Sequence, residues 1–336
     1  MQTTTYTDVT VFDTLASEWD DLLQRSINAP FFMRYVYQRI WWEYLGNDDL
    51  VVIAIRDESG QLVGLAPLYG STNAAGQREL SFVGCVDISD YLDLMVDENH
   101  VEAVHKSLLD CLSSDSAPVW DKLYLCSLSH TSVTHTKLAE AARSRNWQVV
   151  VQQQDVCPVI TLPSSWDEYL AGIDKKQRHE IRRKIRRIEG EADTRWYVID
   201  SEEGLIEAMD TFIQLHQKST QDKEDFWSDD LIRFFKTVTF EIAKFGWLKL
   251  YFIQVNGVDA AAMLCFDYNN EFLLYNSGYD PEQFANLSPG NVLTSYTIQD
   301  AIRLGRSRYD FLRGDEVYKF RFGAEAEPVY DLSITR

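Results

Sequence analysis

The alternation of apolar and polar positions gives one series of elements twice. In the first series, "VYQRIWWEYLG" (36–46) places its apolar residues at helical spacing and stops at Gly46, which predicts a helix. "LVVIAIRDESGQLVGLAPLYG" (50–70) predicts a strand, a turn at Asp57-Glu58-Ser59-Gly60 and a second strand. Strands near 78–83 and 91–96, a helix over 98–113 and a strand over 120–128 follow. A helix around 132–145 and strands near 147–152 and 156–162 complete the half.

The second series opens at "LIRFFKTVTFEIAKFG" (231–246), a helix that also stops at glycine. Residues 247–280 read as three strands, joined by turns at Asn256-Gly257 and Asn269-Asn270. "SPGNVLTSYTIQDAIRLG" (288–305) is a helix with proline near its start and glycine at its end, and 307–314 is the strand after it. Both halves thus read helix, hairpin, further strand, helix, strand. The joint falls near 160–175, giving domains of 1–162 and 163–336.

Between them lies "DKKQRHEIRRKIRRIEGEA" (174–192). At 100° per residue Ile181, Ile185 and Ile188 form one apolar stripe, and Lys175, Arg178, Arg182 and Arg186 line one flank. This predicts an amphipathic helix docked by isoleucines. Its basic character stands out against the chain, which has 32 basic and 52 acidic residues and a net charge of −20. That balance disfavours nonspecific binding to DNA or anionic membrane. The Arg178/Arg182 flank is the part placed to meet cofactor phosphates or an anionic acceptor.

Composition adds mainly exclusions. No apolar run approaches the ~20 residues of a membrane span. The opening "MQTTTYTDVTVF" has neither a basic nor an apolar leader segment, so a cytoplasmic location is expected. Five scattered cysteines with no CxxC pair read as free thiols, and the histidine spacing does not favour a structural metal.

Two segments carry candidate chemistry. In "YNSGYDPEQFANLSPGNVL" (275–293) a strand runs through a loop into a helix opening Ser288-Pro289-Gly290-Asn291. Ser288 suits the N-cap, Pro289 the first helical position, and Gly290 leaves room for a ligand. The unpaired N–H groups and positive dipole end of that first turn make a cradle for an anion or pyrophosphate. In "YDFLRGDEVYKFRFGAE" (309–325) charged residues crowd the exit of a strand. Ordinary capping and solvated ion pairs are the alternatives for these two segments.

Residues 170–323 resemble the acetyltransferase domain of the CelD/BcsL group of the GNAT superfamily, related to Fem-type aminoacyltransferases with two GNAT-like domains. The resemblance rests on "KKQRHEIRRKIRRIE", "LHQKS", "AAAMLCF", "YNSGYDPEQFANLSPGNVL", "IQDAIRLG" and "YDFLRGDEVYKFRFG". "RIWWEYLG", "LVGLAPLYG" and "SDYLDLMV" loosely resemble the N-terminal domain of that family. It implies an α/β (α+β) fold of two tandem GNAT-like domains, each a mixed, mostly antiparallel sheet flanked by helices.

The resemblance further implies transfer of an acyl group, acetyl in the first instance, from acyl-CoA to an amine, without metal. The donor site falls on Asn276, Ser277, Leu287, Ser288, Gly290, Asn291 and Val292. Tyr318 is the candidate general acid, and Asp315 or Glu316 the candidate base. Asp90, Asp93, Tyr279, Arg313, Lys319, Arg178 and Arg182 are candidates for holding the acceptor. "LSPGN" departs from the usual GNAT phosphate loop, keeping one glycine and substituting proline. The expected acceptor is a small-molecule or sugar-linked amine, as in surface-polysaccharide biosynthesis, and an acyl carrier protein is a further expected partner. Two alternatives stand beside this: a Fem-like transferase using aminoacyl-tRNA, against which the acidic background weighs, and a non-catalytic double-GNAT binding module.

Overall fold

The computed structural model describes all residues except Asp48, Val86 and Asp87. The chain divides into two units, Met1–Asp155 with Glu327–Arg336, and Val156–Ala326.

The first unit begins with β1 (Gln2–Tyr6), α1 (Val11–Arg25), α2 (Tyr35–Leu45), β2 (Asp49–Arg56), β3 (Leu62–Thr72) and β4 (Arg78–Phe82). It continues with β5 (Met95–Val96), α3 (Val101–Ser113), β6 (Lys122–Ser129), α4 (Ala139–Arg143) and the start of β7 (Gln148–Thr161). Strands β1 to β4 pair antiparallel in sequence, and β6 lies parallel to β4. The β2–β3 turn forms as read: Asp57 Oδ1 accepts from the backbone N–H groups of Ser59 and Gln61, each at 2.9 Å.

The expected strand 91–96 shrinks to Met95–Val96, because the N–H groups before it are taken elsewhere. Leu94 N–H donates to Asp93 Oδ1 and Leu92 N–H to the Ser127 carbonyl. The expected helix 132–145 opens with a widened turn, Thr134–Leu138, before α4. The strands read at 147–152 and 156–162 are one, β7. The free-thiol reading is also corrected: Cys85 and Cys126 form a disulfide, and Cys111, Cys157 and Cys265 are thiols outside it. Cys85 follows β4 and Cys126 lies in β6, so pairing of these two strands brings together cysteines 41 residues apart.

The second unit holds the end of β7, α5 (Trp166–Gly172), α6 (Lys175–Glu191), β8 (Thr194–Ile199), α7 (Leu205–Ser219), α8 (Gln221–Asp225) and α9 (Asp229–Ala243). Then come β9 (Leu248–Val255), β10 (Val258–Tyr268), β11 (Glu271–Tyr279), α10 (Pro289–Arg303), β12 (Arg308–Asp310) and α11 (Val317–Arg321). The final strand, β13 (Glu325–Thr335), returns to the first unit and pairs antiparallel with β6.

Strands β8 to β11 form an antiparallel meander. Its tight turns are those expected: Asn256, Gly257, Asn269 and Asn270 all have positive φ, the conformation a two-residue hairpin loop needs. β12 adds to β11 in parallel. Helix α6 is capped by the Asp174 carboxylate, which accepts from the N–H groups of Lys176 and Gln177. Its Ile181 and Ile188 are buried and Ile185 packs beside them, as the stripe required.

Candidate active site

β12 pairs with β11 at three positions only, Glu271↔Arg308, Phe272↔Tyr309 and Leu273↔Asp310. β11 then runs on to Tyr279 without it. The expected strand 307–314 stops this early because its exit is gathered into a loop. Asp310 Oδ1 takes the Leu312 N–H at 2.7 Å, and Leu312 has a positive φ. Lys319, buried on α11, donates Nζ to the carbonyls of Leu312, Arg313 and Gly314 at 3.2, 2.9 and 3.1 Å. On its other side β11 carries a bulge, with Tyr275 the extra residue between the pairs Leu264↔Asn276 and Cys265↔Leu274.

In this opening lies a cavity of about 330 Å³. Ser277, Gly278 and Tyr279 of β11 form one wall and Met263 of β10 lies beside them. Ala285, Ser288, Pro289, Gly290, Asn291 and Thr294 form another wall, and Tyr318 closes the lining. Among the described residues none that lines it is Asp, Glu, Lys, Arg or His. Proline has no N–H, and the N–H groups of Gly290 and Asn291 have no intrahelical acceptor at this position. A Cβ added to Gly290 would meet open space. The cavity therefore presents main-chain donors and the positive end of a 15-residue helix, with no carboxylate to repel an anion. These features fit the pyrophosphate and thioester end of an acyl-CoA.

Ser288 stands at the N-cap position but in a left-handed conformation, φ 56°, and its side chain caps nothing. Its capping role is thus corrected, and the residue lines the cavity instead.

The end of β11 is held from behind. Trp227 Nε1 donates to His216 Nδ1 at 3.0 Å, so the ring proton of neutral His216 sits on Nε2, which donates to Asn276 Oδ1 at 2.7 Å. Burial lowers the His216 pKa to about 4, which keeps it neutral. Asn276 Oδ1 also accepts the Ser277 N–H at 3.0 Å. Lys223 of α8 donates Nζ to the Ser277 carbonyl. Burial depresses its pKa to about 8, against the opposing influence of Glu316. Ser219 Oγ accepts the Tyr279 N–H at 2.8 Å and donates to the Leu215 carbonyl of its own helix at 2.8 Å. Gly278 is required here, since a Cβ would lie 2.4 Å from the His216 backbone nitrogen.

Tyr318 hydrogen-bonds to the Ser277 side chain, and burial first, then the Glu316 charge, push its phenol well above the ordinary tyrosine value. It is a protonated donor at neutral pH.

Of the residues read from the sequence, the cavity gathers Ser277, Tyr279, Ser288, Gly290, Asn291 and Tyr318. Asn276 stands behind the wall. Leu287 and Val292 are buried in the core, so any contribution to an anion cradle is limited to their main chain. Asp315 is exposed, and Glu316 is paired with Lys319 at 2.8 Å; neither lines the cavity. Lys319 and the Arg313 carbonyl are joined in the loop described above. Arg178 donates to the carbonyls of Leu170 and Ala171 at the end of α5, and Arg182 lines a different cavity. Asp90 and Asp93 belong to the first unit. Asp93 is buried and accepts from Thr134 Oγ1 at 2.6 Å and Asn28 Nδ2 at 3.0 Å, with its pKa raised by burial.

Met263, Gly278, Ala285 and Thr294 were not singled out in the sequence, nor were Lys223 and Trp227 behind the wall. Thr294 had a signal, lying four residues from Gly290 on one helix face. Gly278 had another, as a glycine inside a strand often marks close backbone approach. Lys223 had none. Among the described residues no group of three or more His, Cys, Asp or Glu is arranged to hold a metal ion.

Two strands that part beside the N-terminus of the following helix are the arrangement of the GNAT fold, and the meander–helix–strand of the second unit has it. The family model described as "Acetyltransferase (GNAT) domain" matches residues 175–320. The solved structure of FemX is similar over 98% of this chain and 97% of its own, at 13% identity and a TM-score of 0.64. A tandem GNAT protein from the clavulanic acid biosynthesis pathway matches over 98% of both chains, at 12% identity and a TM-score of 0.51. L-PGS from Bacillus licheniformis covers 95% of this chain and 91% of its own, at 10% identity and a TM-score of 0.57. At such identities these likenesses show the fold. No curated protein sequence matches the chain. No helix among the described residues is long and apolar enough to cross a membrane.

Proposed function

We propose that the second unit transfers an acyl group, acetyl in the first instance, from acyl-CoA to an amine of a small-molecule or sugar-linked acceptor. The observation that carries this reading is the uncharged cavity between the end of β11, the first turn of α10 and Tyr318. A CoA donor supplies a thioester carbonyl activated toward amines. The main chain of Gly290 and Asn291 holds the donor's phosphates. Beyond Leu273 β11 is no longer paired with β12, and the edge so opened is where the thioester lies against the strand. Tyr318, kept protonated by its surroundings, holds the proton that the departing thiolate needs. Glu316, close enough to Tyr318 to raise its pKa, is the carboxylate to test as acceptor of the amine's proton.

The CelD/BcsL resemblance supports a polysaccharide-linked acceptor, and an acyl carrier protein is an alternative source of the thioester. The FemX likeness keeps an aminoacyl-tRNA donor as the second reading. The test is calorimetric titration with acetyl-CoA, longer acyl-CoAs, an acyl carrier protein and aminoacyl-tRNA. Binding of an acyl-CoA that is lost in Gly290→Leu supports the proposal. Binding of tRNA alone, falling steeply with salt, replaces it with the Fem-like reading. Absence of binding to every donor replaces it with a non-catalytic module.

A further inference from the structure

Helix α6 carries five arginines, Arg178, Arg182, Arg183, Arg186 and Arg187. Three are engaged within the protein. Arg178 donates to the carbonyls of Leu170 and Ala171, Arg183 pairs with Glu180 at 2.8 Å, and Arg187 pairs with Glu191 at 3.2 Å. Arg182 and Arg186 make no side-chain hydrogen bond or ion pair among the described residues. These same two residues line a second cavity, of about 340 Å³, between α5, α6 and α10.

The rest of that lining is informative. Trp166 and Tyr296 are its aromatic members, Leu170 and Ile185 its aliphatic ones, and Gln299 adds an amide. Two carboxylates are present, but Glu189 already accepts the Tyr296 hydroxyl at 2.8 Å, leaving Asp167 as the other acid. Arg182 and Arg186 are one helical turn apart, so their side chains start about 6 Å from each other and project to the same side. Two planar guanidiniums so placed can each bind a phosphate in a bidentate manner, and an aromatic wall can take a planar ring. On α10 this cavity is lined by Tyr296 and Gln299, whereas the acyl cavity is lined by Gly290, Asn291 and Thr294. Position 296 lies about 200° round the helix from 294, so the two cavities use different faces.

We infer that the cavity between α5, α6 and α10 is a second ligand site, for a phosphate ester carrying an aromatic ring, with Arg182 and Arg186 holding the phosphates. The site does not depend on the acyl-transfer reading. A net charge of −20 would otherwise repel such an anion, so a local pair of uncommitted arginines matters for its capture.

The test is calorimetric titration of the full chain with ADP, UDP and inorganic pyrophosphate, with tryptophan fluorescence as a second readout. Saturable nucleotide binding, at least ~10-fold weaker in the Arg182→Ala/Arg186→Ala double variant, is expected. Both side chains are exposed, so the double variant should melt with the wild type. Gly290→Leu, which fills the other cavity, should leave nucleotide affinity unchanged. The inference is overturned if neither nucleotide binds, if the double variant binds as tightly, or if Gly290→Leu abolishes binding. Equal affinity for pyrophosphate and nucleotides overturns the assignment of the aromatic wall.

Discussion

His216 Nε2 donates a 2.7 Å hydrogen bond to Asn276 Oδ1, and so a helix residue fixes the strand residue that precedes the cavity wall. The bond has meaning because the other ring nitrogen accepts from Trp227 and the ring is neutral. Replacing His216 by Phe leaves the half-buried Trp227 N–H without its acceptor, so stability should fall by about 1 kcal/mol in urea unfolding. A double-mutant cycle with Asn276→Ala should give a coupling of about 1 kcal/mol, and additive effects would show that the bond fixes nothing.

Acid should weaken the first unit through His105. This residue is 1% exposed, neither ring nitrogen has a partner among the described residues, and burial lowers its pKa to about 4. The folded value lies below the ordinary 6.5, so below pH 6.5 the unfolded chain takes up the proton first. Stability is then full above pH 6.5 and is lost as pH falls toward 4, by about 3 kcal/mol. His105→Leu should flatten that part of the melting-temperature profile, and an unchanged slope would point to other groups.

Lys223 gives the opposite end of the pH scale. Its folded pKa of about 8 lies below the ordinary 10.5, so between these values the unfolded state binds more protons. Stability should therefore rise from pH 8 to 10.5, by about 2 kcal/mol after allowance for its partial exposure. Denaturant titrations of wild type and Lys223→Met across that range decide it. The rise should be absent from the variant.

Tyr318→Phe removes one hydroxyl and keeps the ring that packs edge-on to Phe311 at 6.1 Å. Acyl transfer should slow by ~10²-fold or more, while donor affinity stays within about threefold. An unchanged rate with a verified acceptor would remove Tyr318 from the reaction.

Two glycines near the cavity should respond in contrasting ways. Gly290→Leu projects into open space, so melting should be preserved while donor affinity drops by ~10-fold or more. Gly278→Ala drives a Cβ against the α7 backbone, so stability should fall by about 2 kcal/mol or more. Comparing melting curves with donor titrations separates the two effects.

Periodicity was enough for the elements that are written locally. The isoleucine stripe of α6, the Asn-Gly and Asn-Asn hairpin turns, and Pro289-Gly290 at the start of α10 depend on residues within a turn or two of each other. The cavity residues found in advance, Ser277, Tyr279, Ser288, Gly290, Asn291 and Tyr318, lie in or beside such segments. What charged side chains do was decided by distant partners. Lys319 was read as an acceptor contact, yet three carbonyls of its own loop surround its amine. Arg178 and Arg182 share a flank, but only Arg178 meets the end of α5. Folding likewise chose the placing of Lys223 beside Ser277, the pairing of Cys85 with Cys126, and the return of β13 to β6. A local pattern records which face of an element is apolar. It does not record which remote carbonyl, carboxylate or strand edge that face or its neighbours will meet, and only the packed chain sets those distances.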